Sequence, residues 1–172
     1  MELTLAQMQT LKTTILADPV MGPLAAQFSV GAISRLLNEP TAPDFWVYRT
    51  VMYKHDVTDK VSSDGTTFTW GGATGGYIAR SQGERDGWRE LWNSSLSCSP
   101  TQANVRAAFD DIFSGAGAGA ANNRAHIKAH SRRLASVAEK LFAAGTGSTA
   151  SPATMTAEGA VTDADVEQAL RS

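Results

Sequence analysis

The last third of the chain joins two short helical patterns through a glycine-rich spacer. A capping box opens a predicted helix over 136–144, and the spacer follows at 145–150. After an extended stretch near 154–158, a second capped helix is predicted over 162–170. These pieces carry few apolar side chains, so we expect residues 145–172 to form an arm that becomes ordered only when it docks on another molecule.

Length and composition limit the classes of protein to which the chain can belong. A chain of 172 residues can bury a core in one domain without disulfides, and its single cysteine, Cys98, excludes an internal disulfide. The net charge of −2 argues against a dedicated nucleic-acid-binding protein, which is usually basic. We expect no signal peptide, because residues 1–4 show no basic region followed by an apolar run, and no membrane span, because the apolar stretch at 19–33 is interrupted by proline and glycine.

Apolar residues recur at three- and four-residue steps along most of the chain, which predicts a mainly α fold, a helical bundle. In addition to those above, the predicted helices span 4–18, 23–28, 30–37, 77–93, 99–113 and 124–133. Aromatic and β-branched residues favour extended structure at 45–48 and 66–70. We therefore expect a helical body at 1–144 with a loop or hairpin excursion at 62–76, and a C-terminal strand-plus-helix arm at 145–172.

Several segments resemble motifs for ligand binding or catalysis, but each lacks part of the pattern that the chemistry requires. The glycine–alanine alternation at 115–119 lacks the preceding strand of a dinucleotide-binding loop, so it favours a flexible linker. His126 and His130 share a helix face and could bind zinc, but a third ligand is missing nearby, and surface or interface histidines are the default expectation. Cys98 precedes a predicted helix that could acidify its thiol. We expect a protein that is not an enzyme and that uses no metal or cofactor.

Candidate partner contacts are aromatic, basic or located on the arm. Trp70 stands beside a glycine-rich loop, and exposed tryptophan is enriched at interface hot spots. Arg124, Lys128 and Arg132 repeat every four residues with Arg133 beside them, as either a solvated helix face or a contact for an acidic partner or DNA phosphates. The candidates on the arm are Thr154, Met155, Val161, Val166 and Leu170.

The chain resembles a family of small structural proteins of tailed bacteriophages and prophages that are encoded among head and neck genes. The segments that carry the resemblance are 38–40, 46–50, 104–115, 123–125, 132–135, 138–147 and 151–159, together with the N-terminal helix. The resemblance covers most of the chain except 62–76, and its motifs are structural rather than catalytic.

The resemblance implies a head–tail connector protein, most directly the adaptor ring beneath the portal. Such adaptors are helical and form rings, here a dodecamer matching the portal, and residues 151–172 would reach the portal. The implied partners are further copies of the chain, the portal protein and the next neck or tail component, with DNA passing through the lumen without specific binding. The implied location is the virion neck, after assembly in the host cytoplasm.

Three alternatives stay open at this point. The first is a tail-completion, stopper or head-decoration protein of the same virion. The second is a DNA-contacting protein that uses the basic residues, and the third is a metalloenzyme built on His126 and His130.

Overall fold

The computed structural model describes residues 1–92 and 95–172, and this part of the chain is mainly α, which confirms the predicted fold class. The helices in the described residues are α1 (Leu5–Ala17), α2 (Met21–Ala26), α3 (Val30–Leu37), α4 (Lys54–Asp59), α5 (Gln82–Leu91), α6 (Ala103–Ile112), α7 (Ala118–His130), α8 (Val137–Leu141) and α9 (Asp163–Arg171). The strands are short: β1 (Trp46–Tyr48), β2 (Met52–Tyr53), β3 (Ser97–Cys98), β4 (Arg132–Leu134), β5 (Ala143–Ala144) and β6 (Thr154–Met155). A 3₁₀ turn spans Tyr77–Ala79.

The chain forms two compact units rather than a body followed by an arm. The terminal unit combines Met1–Val47 with Leu134–Ser172, and the central unit is Tyr48–Arg133. The expected boundary at 144/145 is therefore wrong. Residues 145–172 belong to the same unit as the N-terminal helices.

The terminal unit is built around helix α9, which packs against α1 and α3. Its core contains Leu11, Ile15, Ile33, Leu37, Val166 and Ala169, all fully buried. The Thr162 side chain caps α9 by accepting a hydrogen bond from the Asp165 amide, which confirms the predicted cap. The expectation that this segment stays unordered without a partner is wrong, because Ala157, Val161, Val166 and Ala169 are buried in a core that the same chain supplies.

The glycine-rich spacer is fixed in the terminal unit. The Gly147 carbonyl accepts a hydrogen bond of 2.7 Å from the Trp46 amide. Gly147 has a φ of +64°, and a Cβ there would overlap the Phe45 ring. Strand β5 pairs antiparallel with β6, with Ala143 opposite Met155. The predicted flexibility of 145–150 is therefore wrong, since glycine serves close packing here rather than mobility.

Aromatic side chains dominate the core of the central unit. Trp88 is 1% exposed, and its ring lies 5.2 Å from Phe68 and 5.5 Å from Phe113. Helix α5 packs against α6, and α6 and α4 each pack against α7. Strand β2 pairs antiparallel with β3, with Met52 opposite Cys98. The predicted excursion at 62–76 supplies Phe68 to this core, so it is a packed part of the unit rather than a mobile loop.

Two predicted helices begin later than expected. Tyr77 donates its amide to the Thr69 carbonyl, so the chain starts a helix only at Gln82, behind the capping box of Ser81. The expected end of this helix at residue 93 lies outside the described residues. Helix α6 begins at Ala103 instead of 99, because the Ser99 hydroxyl bonds that of Thr101 rather than capping a helix.

Helix α7 begins earlier than predicted, at Ala118, and includes part of the expected glycine linker. Gly119 is buried, and its amide donates to the Thr74 carbonyl over 2.7 Å. A Cβ on Gly119 would lie 2.7 Å from Thr74 Oγ1 and 2.8 Å from the Gly76 amide nitrogen. The glycine therefore lets the 62–76 segment approach the first turn of α7, which explains a motif that sequence patterns assign to a linker.

Candidate functional site

Polar side chains of α7 hold the 62–76 segment in place. The buried Asn123 accepts the Thr69 amide at Oδ1 over 2.7 Å and donates to the Thr69 carbonyl over 3.0 Å. Asn122 donates to the Thr67 carbonyl over 2.7 Å and to Thr69 Oγ1 over 2.8 Å. These bonds satisfy main-chain groups that a neighbouring strand would otherwise satisfy.

His126 continues this arrangement one turn later. It is fully buried, its Nδ1 lies 3.0 Å from Thr66 Oγ1, and its Nε2 lies 2.7 Å from the Val57 carbonyl oxygen. The expectation of a surface histidine is wrong for this residue. Because both ring nitrogens already have protein partners, His126 is a structural link between α4 and the 62–76 segment rather than a metal ligand.

A pocket of about 360 Å³ opens in the central unit beside the end of α7. Its charged and polar lining consists of Arg49, Tyr53, Asp56, Lys60, Ser63, His130 and Arg132. Its apolar lining includes Val51, Met52, Val61 and Ala129. Sequence reasoning identified only His130 and Arg132 of this group, because no local pattern links positions near 50 with positions near 130.

Ion pairs organise most of the charge in this pocket. Lys60 pairs with Asp56 one helical turn away, and Arg132 pairs with Asp64 over 2.7 Å. The hydrogen bond from Lys60 lowers the pKa of Asp56 against the opposing effect of burial, so this carboxylate is ionised at neutral pH. Arg49 has its amide bonded to the Ser131 carbonyl over 2.9 Å.

Among the residues that line the pocket, His130 is the one whose ordinary pKa lies near neutral pH. Burial lowers its pKa below the ordinary value, and the neighbouring His126 and Arg49 add to this effect. A hydrogen bond involving the Lys60 main chain and the Asp56 carboxylate oppose it. His130 is therefore neutral at pH 7, and its ring lies 4.5 Å from that of His126 in an edge-to-face arrangement.

The structure separates the four basic candidates instead of aligning them on one helix face. Arg124 donates to the carbonyls of Phe113 and Gly115, the latter over 3.0 Å. Lys128 pairs with Asp110 over 3.0 Å. Helix α7 ends at His130, so Arg132 and Arg133 lie beyond it in β4. The predicted stripe is therefore wrong, because a four-residue repeat needs a continuous helix.

Trp70 belongs to an exposed apolar patch, which we call the Trp70–Ile78 patch. The Ile78 amide donates to the Trp70 carbonyl over 3.0 Å, and the two residues are 62% and 44% exposed. The Trp70 ring packs edge-on against Phe68 and Tyr77, with centroid distances of 4.9 and 5.3 Å. The sequence singled out Trp70 but not Ile78, whose exposure follows from the main-chain pairing with Trp70.

The candidates on the C-terminal segment divide into buried and partly buried residues. Val161 and Val166 lie in the core of the terminal unit, so their assignment as partner contacts is wrong for the folded chain. Thr154 and Met155 are half-buried in β6, and Leu170 packs at the edge of the core. These three keep some exposed surface.

Other chemical possibilities are limited in the described residues. Burial raises the pKa of the Cys98 thiol to about 12, opposite to the expected acidification. Within residues 1–92 and 95–172, no three His, Cys, Asp or Glu side chains gather as a metal site requires. None of the helices described has the length and apolar character needed to cross a bilayer.

Comparison of the chain with protein-family models, with curated proteins and with solved structures gives no match. The residues themselves, and the resemblance that they carry, are therefore the basis for assigning a function.

Proposed function

We propose that the chain is a structural virion protein of a tailed phage, an adaptor of the head–tail connector that forms a ring between portal and tail. The proposal rests on the sequence resemblance, which extends through α6, α7, α8 and the C-terminal segment. The portal protein and the next neck or tail component are its proposed partners. The expected ring is a dodecamer located in the neck of the virion.

The Trp70–Ile78 patch is the structural observation that favours an assembly role. Trp70 and Ile78 are exposed to water in the isolated chain, and removing their apolar surface from water on docking is favourable. Their main chains are fixed by Asn122 and Asn123 through Thr69, so little conformational entropy is lost when a partner covers them. Exposed aromatic and apolar side chains on a fixed main chain are typical of a preorganised interface hot spot.

The packed C-terminal segment changes how the connector would assemble. With Val161 and Val166 buried in their own unit, this segment no longer supports docking by an unordered arm. The proposal therefore places the main subunit contact on the Trp70–Ile78 patch, with Thr154, Met155 and Leu170 as secondary positions.

DNA contact receives less support than assembly. Arg124 already donates to a main-chain carbonyl, and Lys128 pairs with Asp110. Arg132 pairs with Asp64. Phosphate binding would have to displace these internal partners, and the net charge of −2 supplies no general attraction to DNA.

Gene disruption in a prophage that encodes this chain tests the proposed role. The expected result is DNA-filled heads without attached tails, and electron microscopy of complemented particles should show a ring of this chain in the neck. Tailed, infectious particles from the disrupted prophage would refute the role. A ring elsewhere in the particle would instead identify a tail-completion or decoration protein.

A variant with two substitutions tests the Trp70–Ile78 patch itself. Trp70→Ser with Ile78→Ser should leave the far-ultraviolet circular dichroism unchanged and abolish tail attachment in the complementation assay. Leu16→Ser, at an exposed apolar position of the terminal unit, is the matched control and should complement normally. Full complementation by the Trp70/Ile78 variant would remove the patch from the interface.

A further inference from the structure

The pocket of the central unit contains a cationic side chain that the rest of the site does not neutralise. Lys60 and Arg132 each pair with an aspartate. Among the described residues, Arg49 has no ion-pair partner, yet its charge is close enough to influence His130. An unpaired guanidinium at the wall of a pocket attracts an anion.

We propose that this pocket binds a carboxylate group carried on a short apolar stem, such as a glutamate side chain or a small organic monocarboxylic acid. The Arg49 guanidinium pairs with the carboxylate, and Val51 and Val61 contact the stem. This site is separate from the Trp70–Ile78 patch and does not depend on the proposed connector role.

The lining favours a carboxylate over other ligands. A guanidinium offers two parallel N–H donors that match the two oxygens of a carboxylate. The apolar part of the lining gains from covering a hydrocarbon stem, which a dianion such as phosphate lacks. The volume of about 360 Å³ lies near the lower end of ligand pockets, which suits a small ligand or a single side chain.

His130 supplies an internal reporter of occupancy. Burial lowers its pKa, and the facing groups His126 and Arg49 add to this effect, while a hydrogen bond to the Lys60 main chain and the Asp56 carboxylate oppose it. A bound carboxylate adds a negative charge beside this ring and so raises its pKa. Because linkage is reciprocal, binding tightens as the pH falls from 7 through the pKa of His130, while the carboxylate ligand itself stays ionised.

Titration of the full chain with butyrate, followed by nuclear magnetic resonance, tests the proposal. Butyrate should shift the amide signals of residues 49–53 and 129–132 and raise the pKa of His130. Butylammonium, with the same stem and the opposite charge, should do neither at equal ionic strength. Equal shifts from both compounds would overturn the proposal.

Arg49→Gln should weaken butyrate binding about tenfold or more, because it removes the charge-assisted pair. The Arg49 amide still bonds Ser131 in this variant, and the side chain is exposed, so the fold is retained. Arg89→Gln, an exposed position on α5, is the matched control and should bind as the natural chain does. Unchanged butyrate affinity in Arg49→Gln would overturn the proposal.

The same titration distinguishes the two sources of the carboxylate. A blocked Ala-Glu-Ala peptide that binds more tightly than butyrate indicates a glutamate of a partner protein. Tighter binding of butyrate indicates a free organic acid, and failure of both to bind would overturn the proposal.

Discussion

Asn123 pairs with both main-chain groups of Thr69, accepting its amide over 2.7 Å and donating to its carbonyl over 3.0 Å. One side chain thus replaces a strand neighbour for the extended segment that leads to Trp70. Asn123→Ala would leave the half-buried Thr69 amide without this partner, while the Thr69 carbonyl keeps the Tyr77 amide as a donor. We expect the free energy of unfolding to fall by about 1–3 kcal/mol, measured by urea denaturation.

The matched control for this substitution is Asn104→Ala, at an exposed position of α6. Its unfolding free energy should stay within about 0.5 kcal/mol of that of the natural chain. Equal stability of the two variants would show that the Thr69 segment does not depend on Asn123.

Gly147 is the position of the spacer where a methyl group has least room. Gly147→Ala combines an unfavourable backbone conformation, with φ at +64°, and a steric overlap with the Phe45 ring. We expect a loss of about 2–4 kcal/mol in unfolding free energy. Thermal unfolding followed by circular dichroism would measure it.

Gly159→Ala separates the two contributions. Gly159 also has a positive φ, +105°, but none of the described residues lies within 4 Å of a Cβ built there. This variant should lose only the backbone contribution, about 1–2 kcal/mol. A loss in Gly147→Ala no larger than in Gly159→Ala would exclude packing against Phe45 as a constraint.

Burial of Val166 predicts that the C-terminal helix is stable in the isolated chain. The amide of Val166 should exchange with solvent deuterium far more slowly than an unfolded amide. Val166→Ala removes buried methyl groups and should reduce the unfolding free energy by about 2 kcal/mol. Gln168→Ala, an exposed control on the same helix, should be nearly neutral. Rapid exchange of the Val166 amide would instead support the expectation that residues 145–172 form an unordered arm.

Local signals in the sequence predicted most of the helices and three of their caps, although three helix starts were misplaced, while the tertiary role of the C-terminal segment could not be predicted. The caps at Thr4, Ser136 and Thr162 are confirmed, because a cap depends on residues three positions apart. By contrast, Asn38 bonds the amide and the carbonyl of Val161, and no local pattern links two residues so distant in the chain. A prediction from the low apolar content of residues 145–172 alone therefore underestimated how firmly the rest of the terminal unit binds this segment.

For the candidate site, too, only features that depend on local sequence could be predicted. Trp70 was identified from residue type and its glycine-rich neighbourhood, which are local properties. The prediction of a basic stripe was wrong because α7 ends at His130, with Ser131 as its cap, and the chain then enters strand β4. The pocket joins Arg49 to His130, and only the fold brings such residues together.

Asp165 makes the stability of the terminal unit depend on pH. Burial raises its pKa, but the hydrogen bonds from the Thr162 amide and hydroxyl, together with the Met1 ammonium 3.4 Å away, lower it more, and the net shift is downward. The folded pKa is thus below the unfolded value of about 3.9, so ionised Asp165 contributes stability above that pH. The contribution is lost as the pH falls through the folded pKa.

Asp165→Asn keeps an acceptor for Thr162 but removes the charge at the start of α9. We expect this variant to be about 0.5–1 kcal/mol less stable than the natural chain at pH 7, from the lost interaction with the helix dipole and cap. The difference should shrink as the pH falls through the folded pKa of Asp165, because protonation removes the charge. Urea denaturation at a series of pH values measures it, and a difference that stays constant down to pH 2 would show that the charge of Asp165 contributes nothing.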